Sequence, residues 1–283
     1  MSKILACTDG SLYAPSIYKH AAWASKRIDS PVQVLHMLNP HHETPLNSDY
    51  SGSIGFGAKS ALLDELVELE AANARIAQKR GQAILEDAEM VLKAEGLENV
   101  STMQKHGKLS DEIVAYEDGA DLIVLGKRGN NANFEKGHLG TNLERVIRSC
   151  HHPVLVTSRE FDEPKNFLLA YDGGSSAEKA IEYAVKNTLL KGMFCHLITL
   201  SHDSAIIEKH KAAVKKLETA GYEVESYLFD GSVEEAITDT VIKKSIDLVV
   251  MGAFGHSKIR QLFVGSTTSS IIRAIHKPVL LFR

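Results

Sequence analysis

The stretch DLVVMGAFGHSKIRQLFVGSTTSSIIRAIHKPVLLFR, residues 247–283, holds the most informative pattern in the chain. An apolar run predicts a strand that ends at Gly252, and Gly255 and Gly265 follow with the spacing G-x-x-G-x9-G-S. Glycines let a backbone approach a ligand closely, and the free N–H groups at a helix start favour an anion. The next residues carry hydroxyl groups and open a helical pattern: Ser266, Thr267 and Thr268. This stretch therefore predicts a strand, a phosphate-binding loop, a helix and a closing strand.

A second copy of the pattern occupies residues 121–156, DLIVLGKRGNNANFEKGHLGTNLERVIRSCHHPVLV. The corresponding residues of this copy are Gly126, Gly129, Gly140 and Thr141. Ten residues separate its second and third glycines instead of nine, and Asn142 stands where the other copy has Thr267. The additional residue can change the direction of the loop N–H groups, so we expect the two copies to bind an anion unequally.

The two halves also match upstream of the glycine patterns. ILACTDGS, which starts at residue 4, aligns with FLLAYDGGS, which starts at residue 167, and this places Asp9 opposite Asp172. Met37 lies 28 residues after Asp9, and Leu200 lies 28 residues after Asp172. A repeat of this size indicates a duplicated domain rather than a solenoid unit.

Each half alternates short apolar runs with amphipathic segments, in the order of five strands and four helices. Such alternation predicts an α/β fold: in each half, a five-stranded parallel sheet with helices on both faces. We predict domains at residues 1–158 and 165–283, joined by the charged segment REFDEPKN, residues 159–166. The closing strands, Val154–Thr157 and Val279–Phe282, would lie at domain edges and could pair, which would make the chain an intramolecular pseudo-dimer.

The first half is longer than the second. Asp9 and Asp121 lie 112 residues apart, whereas Asp172 and Asp247 lie 75 apart. Most of the difference falls in an insertion at about residues 40–80, where 40–57 predict a mobile loop and 60–92 predict one long charged helix or two joined helices. Long insertions can act as lids or contact surfaces. The alternative is that the insertion has no function of its own.

Composition excludes several classes of protein. The 283 residues are 44% hydrophobic and 24% charged with a formal net charge of −4, so we expect no general affinity for nucleic acid. We interpret the local basic pair Lys127-Arg128 as a solvated turn. No run of about 18 apolar residues predicts a membrane span. The N-terminal KILACTDGS predicts a strand and turn rather than a secretory signal. We expect three buried or half-buried, reduced cysteines and a cytoplasmic location.

Taken together, these motifs resemble the universal stress protein family. An early strand ending in Asp, a V-x-V-L-H strand, D-L-[IV]-V-[LM]-G, G-x-x-G-x9-G-[ST] and a closing H-x-P-V-L strand occur in that order, and close counterparts occur in both halves. The resemblance covers nearly the whole chain and implies a tandem member. It implies Rossmann-like (adenine nucleotide alpha hydrolase-like) domains, and some members of the family bind ATP.

The resemblance also implies roles for residues of the second half. Asp172 would lie at the adenine or ribose end of a nucleotide, and the backbone of Leu200 would lie at the adenine. The phosphate site would comprise Gly252, Gly255, Gly265 and Ser266, with further donors at Thr267 and Thr268. The less certain equivalents in the first half are Asp9, Met37, Gly126, Gly129, Gly140 and Thr141. ATP or ADP is the implied ligand, and Mg²⁺ would offset the charge of a triphosphate.

Simpler interpretations compete with these roles. Asp-Gly before a helix is ordinary capping and turn chemistry. Adjacent histidines, as at 41–42 and 151–152, do not share a helix face, and we predict no metal site. His36 and His106 end strand-like runs, and we expect both to be structural. No G-x-S-x-G nucleophile or GxxxxGK[ST] signature is present, so we expect a binding protein with slow ATP hydrolysis at most.

The expected function is adenine-nucleotide binding in stress response and signalling, mainly through the second domain, with an unknown protein partner. Two alternatives stay open. One is a binding module for an apolar or lipid-like ligand, built from the first domain and its insertion. The other is a slow ATPase. A further homodimer is compatible with the sequence, which identifies no surface for it.

Overall fold

The computed structural model describes residues 2–38, 56–127, 141–253 and 266–283, and within them strands and helices alternate in chain order. The elements of the first half are β1 (Lys3–Thr8), α1 (Ala14–Ile28), β2 (Val32–Leu38), α2 (Phe56–Ala94), β3 (Val100–His106), α3 (Leu109–Tyr116), β4 (Ala120–Gly126), α4 (Thr141–Ser149) and β5 (Val154–Thr157). Those of the second half are β6 (Asn166–Ala170), α5 (Ser175–Lys186), β7 (Phe194–Leu200), α6 (Ser204–Thr219), β8 (Val224–Phe229), α7 (Val233–Lys243), β9 (Leu248–Gly252), α8 (Ser266–Ala274) and β10 (Val279–Phe282). The order predicted from the repeat is confirmed.

The ten strands form one continuous sheet in the order β3-β2-β1-β4-β5-β10-β9-β6-β7-β8. Strands within each half are parallel, as predicted. The halves meet where β5 and β10 pair antiparallel, with Leu155 opposite Leu280. The predicted pairing of the two closing strands is therefore confirmed, and the two five-stranded sheets are joined into one.

Helices cover both faces of the sheet, and each face buries its own apolar cluster. One cluster collects residues of α1, α2, α5 and α6, and the other collects residues of α3, α4, α7 and α8. Both clusters include strand residues of the two halves. Strands that are buried on both faces carry continuous apolar runs, which is why segments such as LIVL and LVVM read as central strands.

Helix α2 is a single helix of 39 residues, more than twice the length of its counterpart α6, which has 16. Its C-terminal part packs on the sheet through buried Leu85, Ala88 and Leu92. The loop predicted at 40–57 lies outside the described residues up to position 55, and its last two residues belong to α2. The alternative of two joined helices is thereby resolved in favour of one.

Side chains also connect the halves away from the strands. The Arg27 guanidinium of α1 donates a 2.6 Å hydrogen bond to the carbonyl oxygen of Leu189. The Lys127 ammonium donates to the carbonyl oxygen of Ile275 at 2.5 Å, and Lys127 is buried. The prediction of a solvated turn at Lys127 is therefore wrong. A contact across the two halves, which a local pattern does not reveal, encloses this side chain.

The three cysteines are free and buried, as expected from the sequence. Burial disfavours the thiolate and raises the pKa of Cys7 to about 12. In the described ranges, no helix is both long enough and apolar enough to cross a bilayer. The longest helix, α2, carries charged residues along its length.

Candidate functional site

Strand register brings three predicted site residues of the second half to one edge of the sheet. Ala170 of β6 is level with Met251 of β9 on one side and with Ile198 of β7 on the other. Asp172 and Leu200 lie two residues beyond these levels, and Gly252 lies one residue beyond. All three strands are parallel, so these residues lie together at the carboxyl edge. The chain reverses its direction of progress across the sheet here, where open α/β folds bind ligands.

Asp172 shapes a turn after β6. Its Oδ1 accepts a 2.9 Å hydrogen bond from the N–H of Gly174, and Gly173 between them has φ of 73°. The N-cap residue of α5 is Gly174, and no side chain donates or accepts a capping hydrogen bond there. The turn interpretation of the Asp-Gly pair is thus correct, whereas the helix-cap interpretation is wrong. The turn holds the carboxyl group at the sheet edge.

Helix α8 begins at Ser266, as the sequence predicted, and its first turn approaches the end of β9. The Thr268 hydroxyl is buried and lies 3.4 Å from the carbonyl oxygen of Gly252, to which it donates a long hydrogen bond. Thr267 is exposed. Gly255 and Gly265 lie outside the described residues, as does the side chain of Ser266. Thr268 therefore connects strand and helix, and Thr267 is the more accessible hydroxyl.

The first half repeats this arrangement with the same offsets. Cys7 of β1 is level with Leu35 of β2 and Leu125 of β4. The predicted residues follow at the same distances along the chain, namely Asp9, Met37 and Gly126. The carboxylate of Asp9 accepts a 3.0 Å hydrogen bond from the N–H of Ser11, and Gly10 has φ of 69°. Tyr13, not Asp9, is the cap residue of α1, so the helix-cap interpretation is wrong here too.

The remaining predicted residues of the first half fall mostly outside the described residues. Helix α4 begins at Thr141, as expected, but the side chain of Thr141 is not described. Gly129 and Gly140 lie outside the described residues. Within the described part of the chain, no cluster of three or more His, Cys, Asp or Glu side chains could hold a metal ion.

The wall beside the aspartate turn differs between the halves. In the second half, the Lys209 ammonium of α6 donates a 3.1 Å hydrogen bond to the carbonyl oxygen of Gly173. In the first half, Ile84 of α2 occupies the equivalent space, and its Cδ1 would lie 2.6 Å from a Cβ added at Gly10. Ile206 also borders the turn of the second half, so the Lys209 cation is what distinguishes the two turns. No sequence motif marks Lys209, because only the docking of α6 brings it to the turn.

A buried hydrogen-bond chain supports the turn from behind in the second half. The Thr199 hydroxyl donates to the carbonyl oxygen of Tyr171 at 2.7 Å, and His210 Nδ1 lies 2.8 Å from the same hydroxyl oxygen. Burial lowers the pKa of His210, so the neutral imidazole with its proton on Nδ1 fits this contact. The arrangement fixes the backbone next to Asp172.

His36 takes the place of Thr199 in the first half. Its Nδ1 lies 2.9 Å from the carbonyl oxygen of Thr8, and the residue is buried. The prediction of a structural histidine is confirmed for His36. His106, at the end of β3, is exposed.

A cleft of about 450 Å³ lies between the halves, at the carboxyl ends of β4 and β5. Its lining carries charges of both signs, including Lys127, Asp162, Asp247 and Lys277. Lys277 and Asp247 approach to 3.8 Å. This cleft was not predicted, because side chains of both halves line it and no single sequence motif contains them.

Comparisons with known proteins identify the family of this chain. The model of the universal stress protein family matches residues 1–158 and 196–283. A universal stress protein of Synechocystis sp. is 39% identical over 287 aligned positions, which cover 100% of both chains. Another, from Methanocaldococcus jannaschii, is 30% identical over 161 positions, 56% of this chain and 82% of that one.

A solved structure shows the same fold. The crystal structure of a universal stress protein from Archaeoglobus fulgidus aligns with 99% of this chain and 98% of its own, with a TM-score of 0.70 and 21% sequence identity. The resemblance inferred from the motifs is therefore confirmed by the family match and by the curated relative of equal length. The chain belongs to the universal stress protein family and carries the family's fold twice in tandem.

Proposed function

We propose that this protein binds an adenine nucleotide, ATP or ADP, and that the second half is the principal site. The observation that supports the proposal best is the in-register convergence of Asp172, Leu200 and Gly252 at the switch point of the sheet. Helix α8 begins next to them and directs its first N–H groups toward the same edge. A nucleotide laid across this edge would have its base at β7 and its phosphates at α8.

Two differences favour the second half for a charged ligand. Its glycine loop has nine residues between Gly255 and Gly265, followed by Ser-Thr-Thr, whereas the first half has ten residues and Asn142. Lys209 borders the aspartate turn of the second half, and Ile84 borders that of the first. A cation near the turn offsets part of the phosphate charge, which an aliphatic side chain cannot do.

We propose that the bound nucleotide changes the contacts of this protein with an unidentified protein partner in stress signalling, in the cytoplasm. Mg²⁺ would accompany ATP to offset the triphosphate charge. The sequence lacks the Walker lysine that P-loop enzymes direct at the terminal phosphates. The protein is therefore proposed to act by binding.

The binding experiment uses a matched pair of substitutions in the full chain. Separated halves are unsuitable, since cutting the chain would expose β5 and β10. Titration calorimetry with ATP should show loss of most binding heat in Asp172→Ala and little change in Asp9→Ala. Loss of binding heat in Asp9→Ala alone would show that the principal site lies in the first half. Binding unchanged in both variants would contradict the proposal.

Turnover is the second test of this function. Phosphate release by the purified protein with ATP and Mg²⁺ should be far below the roughly 1–100 s⁻¹ of kinases. Turnover in that range, absent in Asp172→Ala, would make the protein an enzyme. Mass spectrometry of ligand released from the purified protein tests the alternative that the protein binds an apolar or lipid-like molecule. Release of such a molecule would indicate a site in the first half and its insertion instead.

A further inference from the structure

The N-terminal part of α2 projects from the body of the molecule. We call residues 64–80 the projecting segment; none of them is buried, and among the helix residues whose burial is described, from position 64 onward, the first buried one is Gly81. At 1.5 Å per residue the segment is about 25 Å long. Helices in proteins gain most of their stability from the packing of an apolar face rather than from intrinsic propensity, and residues 64–80 bury no side chain in this chain.

The projecting segment carries an apolar stripe. Leu66, Leu69, Asn73 and Ile76 follow one another at spacings of three, four and three residues, which places them on one face. Ile76 is 64% exposed and Leu69 is 47% exposed. This spacing is that of the contact positions in a two-helix coiled coil, with Asn73 as the one polar residue of the stripe.

Acidic and basic residues lie at opposite ends of the projecting segment. Residues 64–70 carry four carboxylates and no basic group: Asp64, Glu65, Glu68 and Glu70. Residues 75–80 carry three basic groups and no acidic one: Arg75, Lys79 and Arg80. Two such helices attract when they run antiparallel, because each acidic end then faces a basic end. Parallel pairing would let Asn73 meet its own copy, but it would bring eight carboxylates together.

We propose that the projecting segment binds the projecting segment of a second copy of this chain, antiparallel, in a symmetric two-helix contact. The stripe is complementary to itself in that direction: Leu66 meets the partner's Ile76, and Leu69 meets the partner's Asn73. Glu65 and the partner's Lys79 then flank the apolar contact. The two bodies then lie at opposite ends of the helix pair. Such a contact is isologous and closes at the dimer.

The first experiment measures mass in solution for the full chain over a range of concentrations, by analytical ultracentrifugation. The parent should reach twice the 31.0 kDa of one chain. Leu69→Glu combined with Ile76→Glu should raise the dimer dissociation constant at least about a hundredfold, because four apolar side chains leave the contact. Val67→Glu is the matched control: Val67 is 64% exposed on another face of the segment and should leave dimerisation intact.

The second experiment tests direction. Glu65→Lys should weaken the dimer about fivefold, and adding Lys79→Glu should restore it. Ala72→Cys should cross-link two chains through the same position on each, since the three native cysteines are buried. Tighter dimers in Glu65→Lys would indicate parallel pairing and contradict the proposal. A parent that stays monomeric, or a double-glutamate variant that still dimerises through the edge strands β3 and β8, would overturn it.

Discussion

At the scale of single residues, the two aspartate turns combine structure with a proposed role in binding. Asp9 and Asp172 each accept a hydrogen bond from the N–H group two residues further on, across a glycine with positive φ. A turn of this kind holds a carboxyl group in place without help from the ligand. Proteins generally gain affinity when such a group is ordered beforehand, because less entropy is lost on binding.

A buried histidine gives a prediction at the same scale. His20 Nδ1 lies 2.8 Å from the carbonyl oxygen of Ser16, while its Nε2 is buried with no hydrogen-bond partner. Burial lowers the pKa of His20 from 6.5 to about 4. The unfolded chain therefore binds a proton at a higher pH than the folded chain. The contribution of neutral His20 to the free energy of unfolding is fully present above pH 6.5 and is lost as the pH falls toward 4.

We expect the free energy of unfolding to fall by about 3 kcal/mol from this residue between pH 7 and pH 4. Urea denaturation at several pH values would measure it in the parent and in His20→Leu. Carboxyl groups titrate in both proteins, so the difference between the two curves isolates His20. The variant should lose stability less steeply on acidification, and parallel curves would contradict the prediction.

At the scale of elements, α2 and α6 show what an insertion changes and what it leaves alone. Both helices follow the second strand of their half and cover the same face of the sheet. The insertion extends α2 at its N-terminal end, beyond the carboxyl edge of the sheet, so the packing of the body is preserved. Gly81 is the point where α2 reaches the body, and it allows close approach to His36 and Gln104.

Gly81→Ala is expected to lower the free energy of unfolding by about 1 kcal/mol. An added Cβ would lie 2.8 Å from Cδ2 of His36, whose ring is held by the carbonyl oxygen of Thr8, and would also overlap the Gln104 amide. Overpacking costs about 1–3 kcal/mol, and Ala gains up to about 1 kcal/mol over Gly in a helix. Urea denaturation of the parent and of Gly81→Ala would measure this difference in the free energy of unfolding. The exposed neighbour change Gln82→Ala should cost little, and a more stable Gly81→Ala would contradict the prediction.

At the scale of the whole molecule, the antiparallel pair of β5 and β10 makes one structure from two repeats. Leu155 and Leu280 are fully buried at this pair, and each face of the sheet has a core cluster that contains residues of both halves. Closing the two edges removes strands that could otherwise pair with other chains. The halves are therefore expected to unfold together.

Leu280→Ala tests this coupling, and it should cost about 2–5 kcal/mol. The single tryptophan, Trp23, is buried in the first half, whereas Leu280 lies in the second. In this variant, the unfolding transition followed by Trp23 fluorescence should therefore have a lower urea midpoint than in the parent. The transition followed by far-ultraviolet circular dichroism should shift by the same amount. A Trp23 transition that keeps the parent's midpoint would show that the halves unfold independently.

The sequence alone determined the repeat, the order of strands and helices, the parallel halves, and the family. These follow from local patterns: buried strands read as continuous apolar runs, and amphipathic segments mark the helices between them. It also predicted that Asp172, Leu200 and Gly252 would lie together, because each closely follows or ends a strand whose carboxyl end must share an edge with the others.

Only the tertiary structure decided which side chains meet across elements. Lys209 and Ile84 distinguish the two aspartate turns because α6 and α2 dock there, and no local motif marks either residue. Lys127 is buried because its ammonium group reaches Ile275 in the other half. The projection of α2 past the sheet is visible only once residues 64–80 are known to be unburied and Gly81 to be buried. Periodicity reports which face of an element is apolar, whereas long-range packing determines what that face touches.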